Sequence, residues 1–84
     1  MSRRGGKAMS KAYVKIWVYP GKEKEALKEL RKQKCVLSAE LTAGEQDIIS
    51  LVEGKSYEDI LQLVVRQIRT LKSIRNTVSN LCLE

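Results

Sequence analysis

The groups able to do chemistry in this chain are few, and most of them gather near its middle. Leu41-Thr42-Ala43-Gly44-Glu45-Gln46-Asp47-Ile48-Ile49 reads as the end of one strand, a Gly-centred turn and the start of another. Gly44 is expected to supply the positive φ of a tight turn, with Glu45, Gln46 and Asp47 leaving polar groups at its tip. Elsewhere the inventory is thin. Cys35 and Cys82 are far apart in sequence, and there is no histidine. A tetrahedral zinc site needs four locally spaced ligands, which these residues do not supply. The commonest general base and the His-supported nucleophiles are missing as well. Both cysteines sit in apolar strand contexts and are expected to be small core residues, not a disulfide or a reactive pair. No metal, cofactor or catalytic role is expected.

The elements that would position the turn follow from periodicity. Ala12 to Tyr19 alternates, with Val14, Ile16 and Val18 on one face and Tyr13, Lys15, Trp17 and Tyr19 on the other, so it reads as a strand. Pro20-Gly21 stops it. Lys22 to Lys34 carries Ala26, Leu27 and Leu30 along one helical stripe among Lys and Glu residues. Cys35 to Ala43 is expected as the second strand, with Leu37, Ala39 and Leu41 facing away from Val36, Ser38, Glu40 and Thr42. Asp47 to Glu53 is the third. Its Ile48, Ile49, Leu51 and Val52 make both faces apolar, as in a central strand. Ser56 caps a helix reaching about Leu71, with Glu58 and Asp59 in its first turn. Its apolar face holds Tyr57, Ile60, Leu61, Val64, Ile68 and Leu71, while Leu63 and Val65 fall outside it. Ser73 to Leu83 is the last strand, where Ile74, Asn76, Val78, Asn80 and Cys82 alternate with Arg75, Thr77, Ser79, Leu81 and Leu83.

The order β-α-β-β-α-β with right-handed crossovers gives an α+β, ferredoxin-like sandwich. Its four-stranded antiparallel sheet carries both helices on one face. The other face is left bare, showing Tyr13, Lys15, Trp17 and Tyr19 with Ile49 and Leu51, and a patch of that kind marks an interaction surface. Three readings fit it. Two sheets can pack in a homodimer. Aromatics can stack single-stranded RNA, although the third strand carries none. An acylphosphatase-like enzyme would need a phosphate-cradling loop, and Tyr19-Pro20-Gly21-Lys22 is too short and poor in donors for one. The pattern favours the dimer.

Length and charge agree with one small domain. The chain has 84 residues, 43% apolar and 31% charged, with a single proline, and no apolar run approaches a membrane span. No apolar stretch follows the basic start, so it does not read as a secretory signal, and the cytoplasm is expected. Of the net charge of +6, four units come from Arg3, Arg4, Lys7 and Lys11, with no acid among the first eleven residues. Residues 1–11 are therefore expected to be a flexible basic tail, either a solvated leader or a weak phosphate contact, and 12–84 the folded domain.

Ala12-Tyr13-Val14-Lys15-Ile16-Trp17-Val18-Tyr19-Pro20-Gly21-Lys22-Glu23 resembles the opening strand and Pro-Gly turn of the Lrp/AsnC effector-binding domain, the RAM domain. Thr42-Ala43-Gly44-Glu45-Gln46-Asp47 resembles that family's Gly-x-Tyr-Asp hairpin, with Gln46 in place of the tyrosine. Ser73-Ile74-Arg75-Asn76-Thr77-Val78-Ser79 resembles its last strand, with Ser73 where glycine is common. The similarity spans about residues 12–83 and leaves no room for the family's helix-turn-helix, so it implies a stand-alone version. It further implies a binding module that forms sheet-packed dimers, joins them into octamer-like rings and holds an amino-acid-like effector near the hairpin. Thr42, Gly44, Glu45 and Asp47 would line that site, with Thr77 and Ser79 giving hydroxyls. Asp47 would face an ammonium group or simply cap the turn. Tyr13, Lys15, Trp17, Tyr19, Ile49 and Leu51 would form the dimer interface. Such a module would modulate transcription or amino-acid metabolism without DNA contacts of its own, by co-assembling with full-length Lrp-type regulators. The alternative is a small nucleic-acid-binding protein using the basic tail and open sheet face.

Overall fold

The computed structural model describes residues 9–83. Its elements are β1 (Ser10–Val18), α1 (Glu23–Arg31), β2 (Val36–Leu41), β3 (Ile48–Gly54), α2 (Tyr57–Leu63) continued by a π-helical turn (Val64–Ile68), and β4 (Ile74–Leu81). The antiparallel sheet runs β2-β3-β1-β4, the ferredoxin-like order that the element sequence predicts. β1 starts at Ser10, ahead of the expected boundary at residue 12, and Lys11 faces Glu53 in register. The remainder of the expected basic tail, residues 1–8, lies outside the described residues.

One row of β1 organises the core. Ala12, Val14, Ile16 and Val18 are buried against Ala39, Ile48 and Val52 of the sheet, Ala26 and Leu30 of α1, and Ile60 of α2. The shallow stripe of α1 is thus enough, because the helix leans on the sheet. Its C-terminal end is pinned by Arg31, whose Nε and Nη2 donate to the Ala39 carbonyl at 3.1 and 2.7 Å. The Pro20-Gly21 turn has the type II arrangement. Lys22 N–H donates to the Tyr19 carbonyl at 3.0 Å, and Gly21 takes φ +83°.

Three local expectations need correction. A register shift in β2 between Val36 and Ser38 places Val36 opposite Val52 and against the core, while Leu37 is exposed. A second shift, between Trp17 and Val18, pairs Val18 with Ile74 and Trp17 with Asn76. Ile74 therefore shares the helix-covered face with Thr77, Ser79 and Leu81, and not with Asn76 and Val78. In α2, Leu63 packs on the core and Leu61 is exposed. Beyond Leu63 the helix widens into the π turn, where the Arg69 N–H reaches back five residues to the Val64 carbonyl at 2.8 Å, and Ile60, Val64 and Ile68 all stay on the core. Ser56 caps α2 as expected, accepting from Asp59 N–H at 3.1 Å.

Two positions in β3 yield predictions. A Cβ on Gly54 would stand 3.0 Å from Ile60 Cγ1 and 3.3 Å from Ile60 N, so Gly54→Ala should cost about 1–3 kcal/mol in denaturant unfolding. The buried Ser50 hydroxyl finds no hydrogen-bond partner among the described residues. Ser50→Ala relieves that desolvated group and should leave the melting temperature unchanged or raise it, whereas a loss of about 2 kcal/mol would reveal a partner.

Candidate functional site

The β2–β3 connection, residues 42–47, is a six-residue loop closed by its own polar groups. Thr42 N–H donates to the Asp47 carbonyl at 2.9 Å, and Thr42 Oγ1 donates to the Gln46 carbonyl at 2.8 Å. Gln46 Nε2 returns a bond to Thr42 Oγ1 at 3.2 Å. The expected positive φ at Gly44 is absent. Among the described residues only Gly21 has one, and nothing lies within 4 Å of a Cβ placed on Gly44. The tight turn expected between Ala43 and Asp47 called for that conformation; a six-residue loop distributes the reversal over several bends.

Asp47 is tied to β1. Its N–H donates to the Ile16 carbonyl at 3.0 Å, and its Oδ2 accepts from Val18 N–H at 2.8 Å. β3 begins only at Ile48, so the carboxylate stands in for the strand carbonyl that β1 would otherwise meet. This is the capping role that the turn chemistry allows, directed at a neighbouring strand.

The loop tip leans on the open face of the sheet. Trp17 Nε1 donates to the Glu45 carbonyl at 2.9 Å, and Lys15 Nζ lies 3.6 Å from Glu45 Oε1. Lys15 sits between Ile49 and Val78 in register, and Tyr13 between Leu51 and Asn80. Tyr13, Lys15, Trp17, Ile49 and Leu51 thus share the face opposite the helices, as their alternation implies. Tyr19 is half-exposed just beyond the end of β1, where its N–H donates to the Ser73 carbonyl at 3.0 Å.

Thr77 and Ser79 lie elsewhere. They pair with Ile16 and Val14 on the helix-covered face, with β1 between them and β3, so two strand spacings of about 10 Å separate β4 from β3. Within one chain the structure brings together Thr42, Glu45, Gln46 and Asp47 but not the two hydroxyls. Sequence reasoning missed the pairing of Gln46 with Thr42 and the reach of Lys15 and Trp17 to Glu45. The signal for the second is the β1–β3 register, which sets Lys15 and Trp17 at the loop end of the open face; the first is a contact within the loop, between residues four apart.

The cysteines take no part. Cys35 is buried and Cys82 half-buried, both unbridged, and burial pushes the Cys35 thiol pKa up, only partly offset by a backbone hydrogen bond. Among the described residues no three His, Cys, Asp or Glu side chains gather to hold a metal. No helix among them is long and apolar enough to cross a membrane.

Comparison with known proteins agrees with this geometry. The Lrp/AsnC ligand binding domain matches residues 11–84. The structure of FFRP-DM1 is 27% identical, with 88% of this chain and 99% of that chain covered at a TM-score of 0.83. A hypothetical protein, PHS023 from Pyrococcus horikoshii, is 27% identical over 89% of this chain and 90% of its own, with a TM-score of 0.82. A transcriptional regulator from Neisseria meningitidis, NMB0573, solved as a complex with L-Met, shares the fold. It is 17% identical at a TM-score of 0.80, and the match covers 89% of this chain and 50% of that one. No curated protein matches significantly. With the family match spanning nearly the whole chain, this protein belongs to the Lrp/AsnC ligand-binding domain family.

Proposed function

We propose that this domain binds a small amino-acid-like effector at the 42–47 loop, assembles through its open sheet face, and passes the binding event to a transcriptional or metabolic regulator. The observation that carries this reading is a polar loop folded onto the rim of an uncovered apolar face. Thr42, Gln46 and Asp47 hold the loop's shape, while Lys15 and Trp17 hold its tip. Backbone groups around Gly44, where no neighbour crowds the chain, are open to a ligand. Family membership supports a regulatory binding role over a catalytic one, and L-Met in the Neisseria regulator supports an amino acid as the ligand class.

Assembly follows from the face itself. Tyr13, Ile49, Leu51 and Val78 have no helix over them, and a second copy supplies an equivalent apolar sheet. Dimers joined into a ring would bring Thr77 and Ser79 of one copy toward the loop of another, which one chain alone does not do. A cytoplasmic site of action and co-assembly with full-length relatives fit the same picture. A nucleic-acid platform fits less well, since both aromatics of the face lie on β1 and β3 offers Ile49 and Leu51.

A thermal-melt screen against the twenty common amino acids tests the effector role. One or a few should raise the melting temperature by several degrees at saturating concentration, since a ligand that binds only the folded form stabilises it. A flat response to all twenty contradicts an amino-acid effector. Asp47→Asn keeps an acceptor for Val18 N–H and removes the charge. It should weaken that response without changing the mass measured by light scattering, and an undiminished response would limit Asp47 to its capping role. Trp17→Ala should uncover the sheet interface and yield monomers or aggregates, whereas an unchanged oligomer would argue against sheet packing.

A further inference from the structure

We infer that Lys15, Glu45 and Trp17 form a latch that makes assembly through the open face conditional on the closed state of the 42–47 loop. The inference rests on the sheet-face assembly proposed above and adds its regulation. Lys15 stands in the middle of the face, between Ile49 and Val78 across the strands and between Tyr13 and Trp17 along β1. Its ammonium group has one ion-pair partner among the described residues, Glu45 at the loop tip. The same residue's carbonyl accepts the Trp17 indole N–H. Glu45 thus touches the sheet twice, once through its side chain and once through its backbone.

In an isolated chain this costs little to undo. The Glu45 side chain is 72% exposed and that of Lys15 33%, so water can replace the pair. Covering the face changes the balance. A second sheet laid on Tyr13, Ile49, Leu51 and Val78 removes water from Lys15, and an ammonium group buried without a partner is strongly unfavourable. The closed loop supplies the partner; an open loop takes it away and frees the Trp17 indole N–H as well. Assembly therefore selects the closed loop. By reciprocity, a ligand that favours the closed loop tightens the assembly and one that pulls the loop open loosens it.

The test compares self-association of the wild-type chain with Glu45→Gln, Lys15→Met and the double variant by sedimentation velocity over a range of concentrations. Glu45 is on an exposed loop, so Glu45→Gln should fold normally. It should dissociate at least about tenfold more readily, because it strands the Lys15 charge. The double variant, with no charge to strand, should recover wild-type association. Trp17, the sole tryptophan, gives a second readout, since its indole N–H should exchange with solvent more slowly as association increases. Wild-type association of Glu45→Gln, or a double variant as weak as Glu45→Gln, overturns the latch. A wild-type chain that stays monomeric throughout overturns the sheet-face assembly itself, and the latch with it.

Discussion

The burial of Ala12, Val14, Ile16 and Val18 under the two helices is the packing on which everything else depends. Side chains alternate along a strand, so each residue sunk into the core sends its neighbour to the opposite side. Fixing this row therefore fixes Tyr13, Lys15 and Trp17 on the face that no helix covers. β1 is hydrogen-bonded to β3 on one side and β4 on the other, so the same row also sets the positions of Ile49, Leu51 and Val78. Core, open face and loop contacts are consequences of one strand's phase.

The loop is held by interactions that stretch across the sequence. Asp47 bonds a backbone amide 29 residues away, and Trp17 bonds a carbonyl 28 residues away. These contacts exist only because β1 lies beside β3, with Ile16 opposite Ile48. A loop anchored in this way is shaped by the sheet and leans on its bare side. The proposed ligand site at the tip and the proposed packing face would thus share residues. That shared use distinguishes this arrangement from a binding loop placed on an inert scaffold.

Much of this was legible from residue types. The alternation of β1, the doubly apolar β3, the Pro20-Gly21 stop and the Ser56 cap are local signals, and each element formed where its signal lay. What stayed hidden was set by pairing or by packing. The shifts at Val36/Ser38 and Trp17/Val18 moved Val36 and Ile74 onto the core face, and no local pattern encodes a shift that depends on the partner strand. Gly44 reads as a positive-φ position because strands expected to end at Ala43 and resume at Asp47 leave only a tight turn, and loop length depends on where β2 and β3 stop pairing. Leu61 and Leu63 exchanged places because an α turn sets Leu63, three residues after Ile60, beside Val64 on the core, and leaves Leu61 off that stripe. Thr77 and Ser79 were tied to the hairpin only by resemblance, and the chain keeps them on the far side of β1.

The central claim is that the uncovered face is completed by a second copy of the chain. Native mass spectrometry at micromolar concentration tests it most directly. The account predicts species at even multiples of the 9.5 kDa chain mass. A spectrum dominated by the single chain across that range would contradict it.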